Sequence, residues 1–201
     1  NSILNKLIRF ETFLTALQYF SFAKIGLPYM GVGRNMAYTK DDFFKANGFM
    51  NHMHIRSGDD DLFINQIATA KNTDICFTEE SFTESVPKAS FKAWIKQKRR
   101  HVTTANHYKK KHQFLLALFY ITQFLFWGLA IALLIPIFQW KIVVSLIFIR
   151  NLAQFIIYFK ATKKLKETDL LIFTPILELF LIGFQLSIFI SNLISKPKHW
   201  K

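Results

Sequence analysis

Phe114–Phe138 reads FLLALFYITQFLFWGLAIALLIPIF, with no charged side chain from end to end. A run of about 20 apolar residues is enough to cross the hydrocarbon core of a bilayer as a helix. This stretch makes the chain a membrane protein. Two further apolar segments follow, Ile142–Phe159 and Leu170–Ile194, and each holds one ionisable residue, Arg150 and Glu178. Pro136 and Pro175 fall inside the first and third segments, where membrane helices tolerate proline because neighbours re-satisfy the freed carbonyls. A buried hairpin in a soluble core is the alternative, and segments of this length disfavour it.

Charge divides the chain at the same place. The first 84 residues hold 8 Lys and Arg against 10 Asp and Glu, while the remaining residues hold 18 against 3. Lys109, Lys110 and Lys111 directly precede the first apolar segment, and Lys160, Lys163, Lys164 and Lys166 separate the second from the third. Positive flanks favour the cytoplasmic side. Both clusters are cytoplasmic if Gln139–Trp140–Lys141 turns tightly on the far side. The tail Ser195–Lys201 then falls outside, against the rule, because it carries Lys196, Lys198 and Lys201. A re-entrant or interfacial third segment, or an exceptional tail, are the two ways out.

In this arrangement Arg150 and Glu178 both sit roughly 12–14 Å deep, at about 1.5 Å of helix rise per residue. A lone charge at such depth costs several kcal/mol, so intramembrane ionisable groups pair or line a wet path. Arg150 and Glu178 are therefore expected to face each other. The alternative is a snorkelling arginine and a protonated glutamate.

Ahead of the apolar segments the chain reads as mixed α/β. Ile3, Leu7, Phe10, Leu14 and Leu17 recur at helical spacing within Ile3–Phe22, and Gly26 and Pro28 close that helix. Tyr29–Tyr38 holds Gly31 and Gly33 in an apolar setting, a strand or loop that something approaches closely. Short helices are expected at Asp41–Ala46 and Asp60–Thr69, a strand at Thr73–Thr78, and a strongly basic helix over Lys88–Lys111. A single cysteine, Cys76, excludes a disulfide scaffold and a multi-cysteine zinc module.

Two clusters are able to carry chemistry. Asp59, Asp60 and Asp61 stand at a loop-to-helix junction, where negative charge suits the helix dipole. The glycine and distal glutamate of a calcium loop are missing, and the nearby pair His52 and His54 would point to opposite faces of a strand. The second cluster is Trp94–His101, in which Trp94, Gln97, Arg100 and His101 fall near one helical face. A planar guanidinium fork suits a phosphate, and a basic flank also suits anionic lipid.

Taken in order, these segments resemble the C-terminal half of the catalytic domain in membrane-bound family 2 glycosyltransferases, over roughly residues 1–113. Arg9-Phe10-Glu11 looks like the family's glutamate-bearing helix. Gly31-Val32-Gly33-Arg34-Asn35-Met36-Ala37-Tyr38 resembles its Gly-x-Gly-x-Asn-x-Ala-aromatic strand, and Gly58-Asp59-Asp60-Asp61-Leu62 its Glu-Asp-x-Asp-Leu motif. Gln97-Lys98-Arg99-Arg100-His101 is similar to Gln-x-x-Arg-Trp, with His101 in the place of the tryptophan and Gly58 in that of an acidic residue.

The resemblance implies a partial GT-A-like nucleotide-diphospho-sugar transferase fold over residues 1–113, with a basic juxtamembrane helix. A transmembrane region follows over 114–201, with helices at 114–138, 142–159 and 170–194. It implies an inverting, hexosyltransferase-like enzyme of polysaccharide biosynthesis. Such an enzyme moves a sugar from a nucleoside-diphosphate donor to a glycan or glycolipid at the cytoplasmic face of a bacterial inner membrane. Asp59 matches the general base, with Asp60 next in line. Gln97, Arg99, Arg100 and His101 match the side that meets the leaving diphosphate, and Gly31, Gly33, Asn35 and Trp94 the acceptor side. The family's divalent metal, Mg or Mn, is expected on an Asp-x-Asp upstream of Asn1, which makes the chain a C-terminal piece that does not turn over alone. A non-catalytic membrane subunit with a polybasic lipid- or partner-binding helix is the competing class. Nucleic-acid binding is set aside despite a pI near 9.9, because lipid headgroups account for the same charge.

Overall fold

A computed structural model describes residues 2–55 and 57–195. The basic tail residues 196–201 lie outside this set. The chain divides into two compact units, Asn1–Gln113 with Leu186–Lys201, and Phe114–Gln185.

The first unit is built from helices. Helix α1 (Ile3–Lys24) starts where Ser2 Oγ accepts the Asn5 N–H at 3.1 Å, an N-cap that satisfies one orphan donor. It ends at Gly26, whose φ of +79° lies in the left-handed region. Its buried face is Leu7, Phe10 and Phe13, and Ile3 stays in the open. Helix α2 (Lys40–Lys45) is capped by the Thr39 side chain at the Asp42 N–H. Helix α3 (Asp59–Ile67) follows the left-handed Gly58, and α4 (Phe91–Thr104) is capped by Ser90. Phe10, Leu62, Phe63 and Trp94 are fully buried.

The expected α/β, GT-A-like layout is overturned, since no strand forms among the described residues. Residues 29–38 and 73–78 do contain extended backbone, as Val32 and Met36 show in the first and Thr78 in the second. Backbone of that kind becomes a strand only beside a second one that takes up its N–H and C=O groups. Here those groups go elsewhere. Tyr29 C=O accepts from Asn65 Nδ2 at 2.7 Å, Gly33 N–H donates to Asp60, and Gly33–Asn35 closes a 3-10 turn. The basic stretch 88–111 is likewise not one helix. It breaks at a 3-10 turn, Ala105–His107, and at Tyr108, whose backbone is extended.

Buried Asn65 ties this break to α3. Its Oδ1 accepts the Lys109 N–H at 2.8 Å, and its Nδ2 lies 2.9 Å from Nδ1 of buried His112. A fully engaged polar side chain in a core fixes one arrangement of its neighbours.

Helix α5 (Lys110–Leu134) passes into the second unit, which also holds α6 (Trp140–Lys164), a 3-10 turn at Thr168–Phe173 and the start of α7 (Thr174–Ile194). The apolar helices begin and end a few residues from where the composition places them. Pro136 cannot continue α5, and Ile137 and Gln139 turn the chain through positive φ. Pro175 sits in the first turn of α7, where its missing N–H costs nothing. Three helical stretches, Lys110–Leu134, Trp140–Lys164 and Thr168–Ile194, are long and apolar enough to cross a membrane.

Inside this unit Arg150 and Glu178 form a forked salt bridge, with Nη2 2.5 Å from Oε1 and Nη1 3.3 Å from Oε2. Gln154 bonds both partners, and the guanidinium lies over the rings of Phe126 and Trp127 at 4.8 and 5.3 Å. Glu178 is 2% exposed.

Candidate active site

The three aspartates open the first turn of α3, where the helix N-terminus stabilises negative charge. Each is used differently. Asp60 accepts two backbone N–H groups, Gly33 at 2.8 Å through Oδ2 and Asp61 at 2.9 Å through Oδ1. Asp61 is half-buried and accepts a hydrogen bond from the Tyr108 hydroxyl. Burial first, and then the adjacent Asp60, push its carboxyl up to about 7, while the Tyr108 bond works in the opposite sense. Asp59 is exposed.

Two glycines stand close to their neighbours. A Cβ on Gly33 would lie 3.1 Å from Asp60 Oδ2, a tight approach that the carboxylate would have to relieve by a few tenths of an ångström. Gly58 has φ of +84°, and a Cβ on it would fall 2.1 Å from Thr104 Cγ2. Thr104, the last residue of α4, is itself buried. An acidic side chain at position 58 therefore has no room, which accounts for the departure from Glu-Asp-x-Asp-Leu.

Helix α4 supplies the cations. Lys98 Nζ lies 2.5 Å from Glu11 Oε2, which links α1 to α4. Desolvation, then the charges of Lys98 and Arg100, hold His101 below the usual histidine range, with Asp60 pulling it the other way and Arg34 adding to the repulsion. The glycine segment and the acidic turn thus meet at Gly33 and Asp60, while the charge of Lys98 acts on Asp61 and those of Arg34, Asp60 and Arg100 on His101.

Other expected site residues are engaged elsewhere. Asn35 Nδ2 donates to Ser81 C=O at 2.8 Å. Trp94 is 1% exposed, its ring beside Phe91 inside the core. Gln97 and Arg100 are half-buried on α4. The Arg99 guanidinium holds the last turn of α7 through the carbonyls of Ser191 and Ser195, Ser195 Oγ and Asn192 Oδ1. Gly31 has Met36 and Ile64 against it, the close approach that its lack of a side chain permits.

Tyr108, Lys98 and Asn65 were not singled out by sequence pattern. For Asn65 a signal existed: it lies three residues after Leu62, on the face that α3 buries. Tyr108 and Lys98 carried none, because their partners are distant in the chain.

Three apolar helices of membrane-spanning length mark a membrane-associated protein. Residues 2–182 match the model of glycosyl transferase family group 2, and the chain belongs to that family. Its chemistry is glycosyl transfer. No curated protein and no solved structure matches the chain.

Proposed function

We propose that this protein is an inverting glycosyltransferase that moves a sugar from a nucleoside-diphosphate donor to a hydroxyl of a glycan or glycolipid at the cytoplasmic face of the membrane. The observation that carries this reading is the convergence of the acidic first turn of α3 with Gly33 and with the cations of α4.

Inversion needs one base, which removes the acceptor's hydroxyl proton as the oxygen attacks the anomeric carbon. Asp60 is committed to two backbone N–H groups and Asp61 to Tyr108. Asp59 is the exposed carboxylate of the three, and it takes the proton. Asp60 is the next candidate, since its link to Gly33 holds the acidic turn against the glycine segment. The donor's bond to the diphosphate breaks as the new bond forms, and negative charge grows on the departing phosphate. Arg100 stabilises that charge, assisted by Gln97 and His101, because a donor already in place pays no reorganisation cost during the reaction. Arg99 braces this part of α4 against the end of α7, and Gly31, Asn35 and Trp94 shape the acceptor side from behind the surface. Among the described residues no three His, Cys, Asp or Glu side chains form a metal-binding group. The donor is proposed to bring the Mg or Mn that such diphosphates usually need, and no step here runs through it.

A non-catalytic subunit with a lipid-binding basic helix makes the opposite prediction. Sugar transfer is to be measured in membranes for the protein, Asp59→Asn and Arg100→Ala. Loss of 10²-fold or more is expected for Asp59→Asn, in the range for removing a general base. Unchanged transfer by Asp59→Asn would remove the base assignment.

A further inference from the structure

We infer that residues 165–194 form a re-entrant hairpin, which climbs to mid-membrane and returns to the face from which α5 starts, instead of crossing as a third span. The inference does not depend on the glycosyl-transfer mechanism.

The direction of α7 follows from contacts within the second unit. Arg150 pairs with Glu178 and covers Phe126 and Trp127 of α5, so Glu178 lies near their level. Four residues later, Ile182 C=O accepts from the Tyr120 hydroxyl at 2.9 Å. From Phe126 back to Tyr120 is about 9 Å toward the start of α5, and from Glu178 on to Ile182 is about 6 Å along α7, at 1.5 Å per residue. Helix α7 therefore runs toward the start of α5. So does α6, which follows α5 through the short turn at residues 135–139.

Two successive helices running the same way need a connection that climbs back. The Thr168–Phe173 turn supplies it. Leu171, Thr174 and Pro175 share one groove with Phe148, Asn151 and Leu152, in the middle of α6. From Asn151 to Lys164 is about 20 Å of α-helix, and the six residues of the 3-10 turn climb back roughly 12 Å, so the start of α7 lies well inside the length of α6.

The far end of α7 agrees independently. The last turns of α7 belong to the first unit, as do the first residues of α5. In the first unit, Arg99 of α4 holds the carbonyls of Ser191 and Ser195, and Asn192 Nδ2 returns a bond to Arg99 C=O at 3.0 Å.

Helical ends inside a bilayer are tolerated only where protein covers them. Leu170 at the ascending turn is fully buried, and its N–H reaches Glu167 C=O at 3.1 Å. Glu178, in the second turn of α7, places a carboxylate near the positive end of the helix dipole, and Arg150 neutralises it. The ion pair closes the tip of the hairpin. With this path the basic clusters Lys109–Lys111 and Lys160–Lys166 fall on the face to which α7 returns, as the positive-inside rule asks.

The test is cysteine accessibility in sealed vesicles of both orientations, using a membrane-impermeant maleimide. Cys76, free and exposed, marks the side of the first unit. In a Cys76→Ser background, Leu193→Cys and Ser195→Cys are each expected to label from the side that Cys76 reports, and Phe138→Cys from the opposite side. Ile172→Cys is expected to react only after detergent is added. Labelling of position 193 or 195 from the Phe138 side overturns the inference. Labelling of position 172 from the Cys76 side in intact vesicles overturns it equally, because a plain third span would begin at that surface.

Discussion

Placing a methyl group on Gly58 tests the geometry of the acidic turn directly. In Gly58→Ala the backbone must either keep a φ of +84° or move, and the new Cβ meets Thr104 Cγ2 at 2.1 Å. An L-residue in the left-handed region costs roughly 1–2 kcal/mol, and overpacking a filled site costs roughly 1–3 kcal/mol. The variant is therefore expected to lose about 2–5 kcal/mol of stability. Thr104→Ala removes the two closest atoms and leaves a Cβ at 3.0 Å, so in the double variant the overpacking share falls while the backbone share stays. The measurement is urea unfolding in detergent followed by tryptophan fluorescence, to which Trp94 contributes from the core of the same unit. The double variant should be more stable than the sum of the two single effects by at least about 1 kcal/mol, within the usual range of coupling between touching residues. Simple additivity, or a Gly58→Ala protein as stable as the parent, would refute the argument.

The remaining expectations concern charge. Burial raises the Asp61 carboxyl from 3.8 to about 7 in the folded chain, so the native state binds the extra proton. Its stabilisation is complete below about pH 4 and is lost as pH rises through about 7. Asp61→Asn, still able to accept from Tyr108, should flatten that fall and gain up to about 4 kcal/mol above pH 7, at 1.36 kcal/mol per pKa unit. An unchanged pH profile of the unfolding midpoint would count against it. In the membrane unit, Glu178→Ala leaves the half-buried Arg150 without its carboxylate, and breaking a buried pair costs about 3–5 kcal/mol. Folded yield should drop in Arg150→Glu and in Glu178→Arg and recover in the double exchange; a double variant as poor as the singles would argue against the pairing.

Much of this was legible in the residues. The 25 uncharged residues from Phe114 and the order of the glycine, acidic and basic segments place the chain in a membrane and in its family. The α/β expectation failed for a definite reason. Extended propensity at 29–38 and 73–78 is local, whereas a strand exists only through a partner, and in the first of these segments the polar groups of Tyr29 and Gly33 turned instead to Asn65 and Asp60. Arg99 and Arg100 are indistinguishable as letters. Only the fold sends Arg99 to the end of α7.

Hydropathy and helical spacing are sums over neighbours in the chain, so the sequence by itself determined the apolar helices, the basic flanks and the family. Which aspartate stays exposed, why Gly58 admits no side chain, and which way α7 runs were decided by tertiary structure. Each depends on atoms tens of residues apart, brought within hydrogen-bond or van der Waals distance by packing. Such contacts have short range in space and no fixed separation along the chain, so they leave no period in the sequence to read.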